Sequence, residues 1–139
     1  LTPSQQLLVR NSFAQVEPIA DTAARMFYDE LFERDPRLRH LFKNDMAEQR
    51  KKLMQMLAVA VEHLNDWETI SNAIRALGKR HRGYGVLPAD YGTVGGALIA
   101  TLERGLGPEF TPEVREAWLA CIAAIAAEML DEVPAQPRS

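Results

Sequence analysis

Apolar residues recur in this chain at the three- and four-residue spacing of a single helix face, stretch after stretch, and its prolines fall at the edges of those stretches. A period of 3.6 sets every third or fourth side chain on one face, so each stretch reads as an amphipathic helix that must bury its stripe against others. Proline lacks the N–H that the helix interior needs but suits the first helical position, so its placement marks starts and stops. No run alternates apolar and polar residues convincingly enough to read as a strand. The chain reads as all helix.

Thr2-Pro3-Ser4-Gln5 has the form of a start signal, a capping residue with glutamine three positions on. Leu7, Leu8, Phe13 and Val16 then form a stripe that ends near Pro18. A second helix is expected over 20–34, through Ala24, Phe27, Tyr28, Leu31 and Phe32, and Asp35-Pro36 closes it. Residues 37–43 are too few for a long helix and read as a turn or short helical segment. A third long helix is expected from about Ala47 to Leu64, and a fourth from Trp67 to a break at Arg82-Gly83-Tyr84-Gly85, directly after His81. A fifth spans about Pro88 to Leu106, where the pair Gly95-Gly96 predicts a close helix crossing. Thr111-Pro112 opens the last helix, which runs to about Glu132. The unequal lengths fit an irregular helical fold better than a four-helix bundle. Residues 1–132 are expected to form one domain, and 133–139 a flexible tail or severed linker.

At 139 residues the chain can bury a substantial core without disulfides or metal staples. Its 16 basic and 19 acidic residues are dispersed, which speaks against a nucleic-acid partner. No stretch is long and apolar enough to span a membrane. The one cysteine, Cys121, rules out an intrachain disulfide and suits a reducing compartment, and no signal peptide is visible, so a cytoplasmic location is expected. The absence of an initiator methionine points to processing or trimming.

His81 carries the chemistry. With no partnering cysteine or carboxylate cluster it makes a poor zinc site, but one imidazole suffices as the axial ligand of haem iron and leaves the opposite face free for a gas. The helix over 48–64 could face it across a cavity, with Gln49 and Leu53 one turn apart. Tyr28, inside a helix beside Phe27, reads first as a core ring with its hydroxyl at the edge; if it faces a bound diatomic, that hydroxyl can donate to it. Gln49 could supply a second donor, or be an ordinary polar residue near a helix start. Phe42 could wedge against a flat cofactor. His40 and His63 read as solvent-facing, and Glu103 and Glu128 as isolated carboxylates.

The order of these segments resembles a globin, and in particular the single-domain bacterial haemoglobins and the globin domain of flavohaemoglobins. Phe27-Tyr28-Asp29-Glu30-Leu31-Phe32 with Pro36, then Leu38 to Phe42, then Gln49 to Met54 carry it. It continues through Leu77-Gly78-Lys79-Arg80-His81, Tyr84-Gly85-Val86, Tyr91 to Gly95, and Glu116-Ala117-Trp118. The resemblance spans residues 4–131 and implies a three-over-three helical sandwich around haem b. It implies His81 as the proximal iron ligand, Phe42 stacked on haem, and Tyr28, Gln49 and Leu53 on the distal side. Leu77, Val86 and Val94 would line the cofactor, and Tyr91 would stand near the proximal imidazole.

The function implied is reversible binding of oxygen, carbon monoxide or nitric oxide at pentacoordinate ferrous iron, by a monomer or weak dimer. The alternatives are nitric oxide dioxygenation with an external reductase, or a gas-sensing module of a larger protein. Two features depart from the flavohaemoglobin pattern. A glutamate late in the last helix is matched by Val133, with Glu132 adjacent, and a tyrosine by Ile122. No flavin or nicotinamide domain follows in the sequence, which lowers the expectation of dioxygenation by this chain alone.

Overall fold

Each stretch with helical periodicity is a helix in the computed structural model, which describes residues 1–42 and 45–130. We label them α1 (Pro3–Val16), α2 (Ala20–Arg34), α3 (Met46–Glu62), α4 (Glu68–Gly83), α5 (Pro88–Leu106) and α6 (Pro112–Leu130). Short 3-10 turns join them at Glu17–Ile19, Pro36–Leu41 and Gly107–Glu109. The described residues contain no strand, and the fold is all-α, in keeping with a globin-type helical sandwich. None of their helices is long and apolar enough to cross a membrane. The expected end of the last helix at Glu132, and the tail at 133–139, lie outside the described residues.

The termini form as the local chemistry dictates. Thr2 Oγ1 accepts from the Gln5 amide at 3.1 Å while Gln5 Oε1 accepts from the Thr2 amide at 3.0 Å, a reciprocal cap on α1. Asp45 caps α3 through the Ala47 amide, and Thr111 Oγ1 accepts from the Val114 amide at the start of α6. The fourth helix runs two residues past the expected stop at His81, because the Tyr84 amide still reaches the Arg80 carbonyl before Gly85 turns the chain with φ +96°.

In the core α2 packs on α5, while α1 and α4 both pack on α6. Val9, Phe13, Leu31, Ala97, Trp118 and Cys121 are among its most deeply buried side chains. Trp118 Nε1 donates to Ser12 Oγ at 2.8 Å, so the one polar atom of that ring is satisfied inside the core.

The expected close crossing at Gly95-Gly96 is corrected by the structure. A Cβ on Gly95 would meet only Ile122 Cγ2, at 3.4 Å, and one on Gly96 the Arg34 guanidinium, at 2.9 Å. Both neighbours are side chains. The backbone-close approach is at Gly78, where a Cβ would run into the Met129 main chain of α6. Only a residue without a side chain lets α4 lie this near α6, and that contact sets the position of His81 three residues later.

Candidate functional site

α3, which carries Gln49 and Leu53, and α4, which carries Leu77 and His81, make no extended contact with each other. α4 rests on α6, whereas α3 rests on α1 and α2. Tyr28, on α2, is 5% exposed and surrounded by rings. Phe27 and Phe42 meet it edge-on at centroid distances of 4.8 and 5.4 Å, and Phe32 lies 6.0 Å away. Gln49, in the first turn of α3, donates its Nε2 amide to the Tyr28 hydroxyl oxygen at 3.2 Å. The two distal candidates are therefore bonded to each other, with the tyrosine as acceptor. Burial holds the Tyr28 pKa above its ordinary value and the Gln49 bond offsets this only in part, so the phenol stays protonated at neutral pH.

His81 lies near the C-terminal end of α4. Its Nδ1 lies 2.8 Å from the Leu77 carbonyl oxygen one turn back. A carbonyl only accepts, so Nδ1 must carry the proton, and in the neutral ring Nε2 keeps its lone pair. The Val86 amide returns to the His81 carbonyl at 3.0 Å, so the corner after α4 folds back onto the histidine. Among the hydrogen bonds and ring contacts of the described residues, His81 has Leu77 and Tyr84 as partners and neither Tyr28 nor Gln49.

Phe42, Leu53, Leu77 and Val94 pack against the core, and with Val86 they are all only partly buried. Leu53 also lines a small enclosed cavity of about 20 Å³ with Phe27, Leu57 and Trp118. Tyr91, one turn before Val94 on α5 and likewise packed against the core, lines a groove between α5 and α6 with Gly95 and Ile122. Its hydroxyl is buried with no hydrogen-bond partner among the described residues. Among those residues no cluster of three or more histidine, cysteine or acidic side chains could hold a metal ion. Iron here would need its other ligands from a cofactor. Glu132 and Val133, the expected proximal-carboxylate positions, lie outside the described residues.

Two readings of single residues are corrected. His63 is half-buried, not solvent-facing, and its Nδ1 lies 3.1 Å from Asp66. Glu128 is not isolated. Its side chain is 9% exposed and accepts from Trp67 Nε1 at 3.0 Å, from Ser71 Oγ at 2.9 Å, and from Arg75. The signal was present in the sequence, because Glu128 continues the buried stripe Val114, Trp118, Cys121, Ile125 at helical spacing. A carboxylate at such a position must find donors.

Comparison with known proteins bears on the same residues. The globin family profile matches residues 25–129. The chain is 27% identical to neuroglobin of Tetraodon nigroviridis and to neuroglobin of Danio rerio, each over 143 aligned positions that cover 93% of this chain and 90% of the relative. It is 29% identical over 134 positions to a flavohemoprotein of Deinococcus radiodurans, covering 94% of this chain and 33% of that protein.

Proposed function

This chain belongs to the globin family, and from that membership we propose that it holds haem b on His81 and binds a diatomic gas, oxygen foremost, reversibly. The observation that carries this reading is the His81 ring itself. With Nδ1 held by the Leu77 carbonyl, the imidazole is fixed in rotation and offers Nε2 as its one ligating nitrogen. Haem iron, when bound, supplies the coordination position that a gas takes up. The partly buried apolar side chains of Phe42, Leu53, Leu77, Val86 and Val94 suit the faces and edges of a flat apolar macrocycle.

The distal residues supply polarity. Because Tyr28 accepts from Gln49, its own O–H remains available to donate, and the rings around it keep water from competing for that proton. Such a donor stabilises a ligand oxygen carrying partial negative charge far more than it stabilises carbon monoxide. Leu53 supplies bulk beside it. On the His81 side the acceptor is a neutral carbonyl, which leaves the imidazole a moderate donor and suits reversible binding.

A second reading, nitric oxide dioxygenation with a separate reductase, draws its support from the likeness to the flavohemoprotein. It would use the same Tyr28 donor.

The test is the visible spectrum of the purified protein in ferric, dithionite-reduced, oxygenated and carbon monoxide forms, repeated with His81→Ala. The reading expects a Soret band, a five-coordinate ferrous state and a stable oxygenated form, with haem lost far more easily from the variant. Equal haem retention in His81→Ala would remove the axial assignment.

A further inference from the structure

We propose that Glu128 is a positioning residue for His81. Through Trp67, Ser71 and Arg75 it fixes how α4 lies on α6, and so sets the bond between the imidazole and iron. The bond itself rests on the haem reading above.

Among the described residues, α6 is the one helix with which α4 makes extended contact. Ile70 and Ile74 are buried from the α4 side, but apolar contact has no preferred direction and lets a helix roll or slide. Hydrogen bonds resist both movements, because they weaken steeply when misaligned. Glu128 accepts from Trp67 Nε1 at 3.0 Å, from Ser71 Oγ at 2.9 Å and from Arg75 Nε. The carbonyl of the next residue, Met129, accepts from Arg82 Nη1 at 3.3 Å. A Cβ on Gly78 would collide with that same Met129 main chain. Trp67, Ser71, Arg75, Gly78 and Arg82 follow one another at intervals of four, four, three and four residues. One face of α4 therefore meets two consecutive residues of α6.

His81 stands between the last two of these points, three residues after Gly78 and one before Arg82. The backbone contact at Gly78 stops α4 from moving closer to α6, yet leaves it able to rock about that point. The Glu128 bonds lie on the other side of Gly78 from His81, so they oppose the rocking. A helix is stiff enough to carry that restraint along its length. Arg82 is exposed, and its longer bond holds less firmly. Burying a carboxylate is costly, and an apolar residue would pack there at less cost. What the carboxylate adds is direction, which the iron ligand needs and stability alone does not.

The test is the iron–imidazole stretching band in the resonance Raman spectrum of the reduced, haem-loaded protein. Glu128→Gln keeps the shape but loses the charge and one accepting oxygen. Trp67→Phe keeps a ring, removes one donor and leaves the carboxylate, so it carries the test should Glu128→Gln fail to fold. Both should broaden and displace the band in the same direction, and haem loss should quicken roughly fivefold. Ser12→Ala strips the partner from Trp118 Nε1, away from α4. It should lower the melting temperature and leave the band in place. An unmoved band in Trp67→Phe and Glu128→Gln, or the same displacement in Ser12→Ala, would overturn the proposal. In the haem-free protein, amide exchange at 79–83 should quicken in Glu128→Gln while α1 and α2 keep their protection. Uniform quickening would reduce Glu128 to a general stabiliser. A wild-type protein that takes up no haem would instead fail the functional reading, and exchange at 79–83 would still decide whether Glu128 holds that end of α4.

Discussion

At the scale of single residues, a hydroxyl has one proton to give, and what it accepts decides where that proton can go. Tyr28 accepts from Gln49, so its proton is free for a ligand. Tyr28→Phe removes that donor, and oxygen release by stopped-flow should quicken about tenfold, on the order of 1 kcal/mol, with carbon monoxide release changing much less. Equal changes for both gases would mean that the hydroxyl acts only by its bulk. Since burial keeps the phenol neutral, oxygen release should not change with pH between about 6 and 9 on its account. Cys121 shows the same control of chemistry by environment. Burial pushes its thiol up to about 12, so it should resist thiol reagents until the protein unfolds. The sequence singles out His81 as the residue proposed to hold iron. That Tyr28 and Gln49 bond each other was not legible, because the residues lie on different helices and nothing local fixes which of them accepts.

At the scale of elements, α4 depends on α6 twice over. Gly78 admits the Met129 backbone, and Glu128 ties down Trp67, Ser71 and Arg75 along the first half of the helix. Gly78→Ala must push the helices apart, so thermal unfolding should show a loss of about 1–3 kcal/mol despite alanine's better helix propensity. A rise in stability would mean that the crossing relaxes freely. Burial raises the Glu128 pKa, but the donors from Ser71, Arg75 and Trp67 together outweigh it and leave the carboxyl below its ordinary value of 4.5. A depressed carboxyl contributes stability above the unfolded value and loses it as pH falls through the folded one. Acid should therefore loosen α4 below about pH 4.5. Glu128→Gln should be less stable at pH 7 and should have a shallower acid limb in its stability–pH curve. The helix boundaries were mostly legible, since caps and prolines act locally. The error at Gly95-Gly96 arose because a glycine pair signals only the chance of a close approach. Which glycine is used depends on where the partner's backbone lies.

At the scale of the whole molecule, α3 and α4 are held on different neighbours, so a cofactor seated between them would bridge parts of the fold that otherwise meet little. Haem should raise the melting temperature, and at a thousandfold excess over its dissociation constant the linkage is about 4 kcal/mol. Matching melting curves with and without haem would show that it does not bind the folded state preferentially. By itself the sequence determined that the chain is all helix, where most helices begin and end, which family it resembles and which histidine could hold iron. Those are consequences of periodicity, capping and residue chemistry, which act within a few positions along the chain. Only the tertiary structure decided that Glu128 is a buried anchor, that Gly78 sets the α4–α6 approach, that Gln49 donates to Tyr28, and that Leu41 meets the turn at Gly85. Each of these joins residues twenty or more positions apart, and such pairings follow from how the helices pack, which no local pattern encodes.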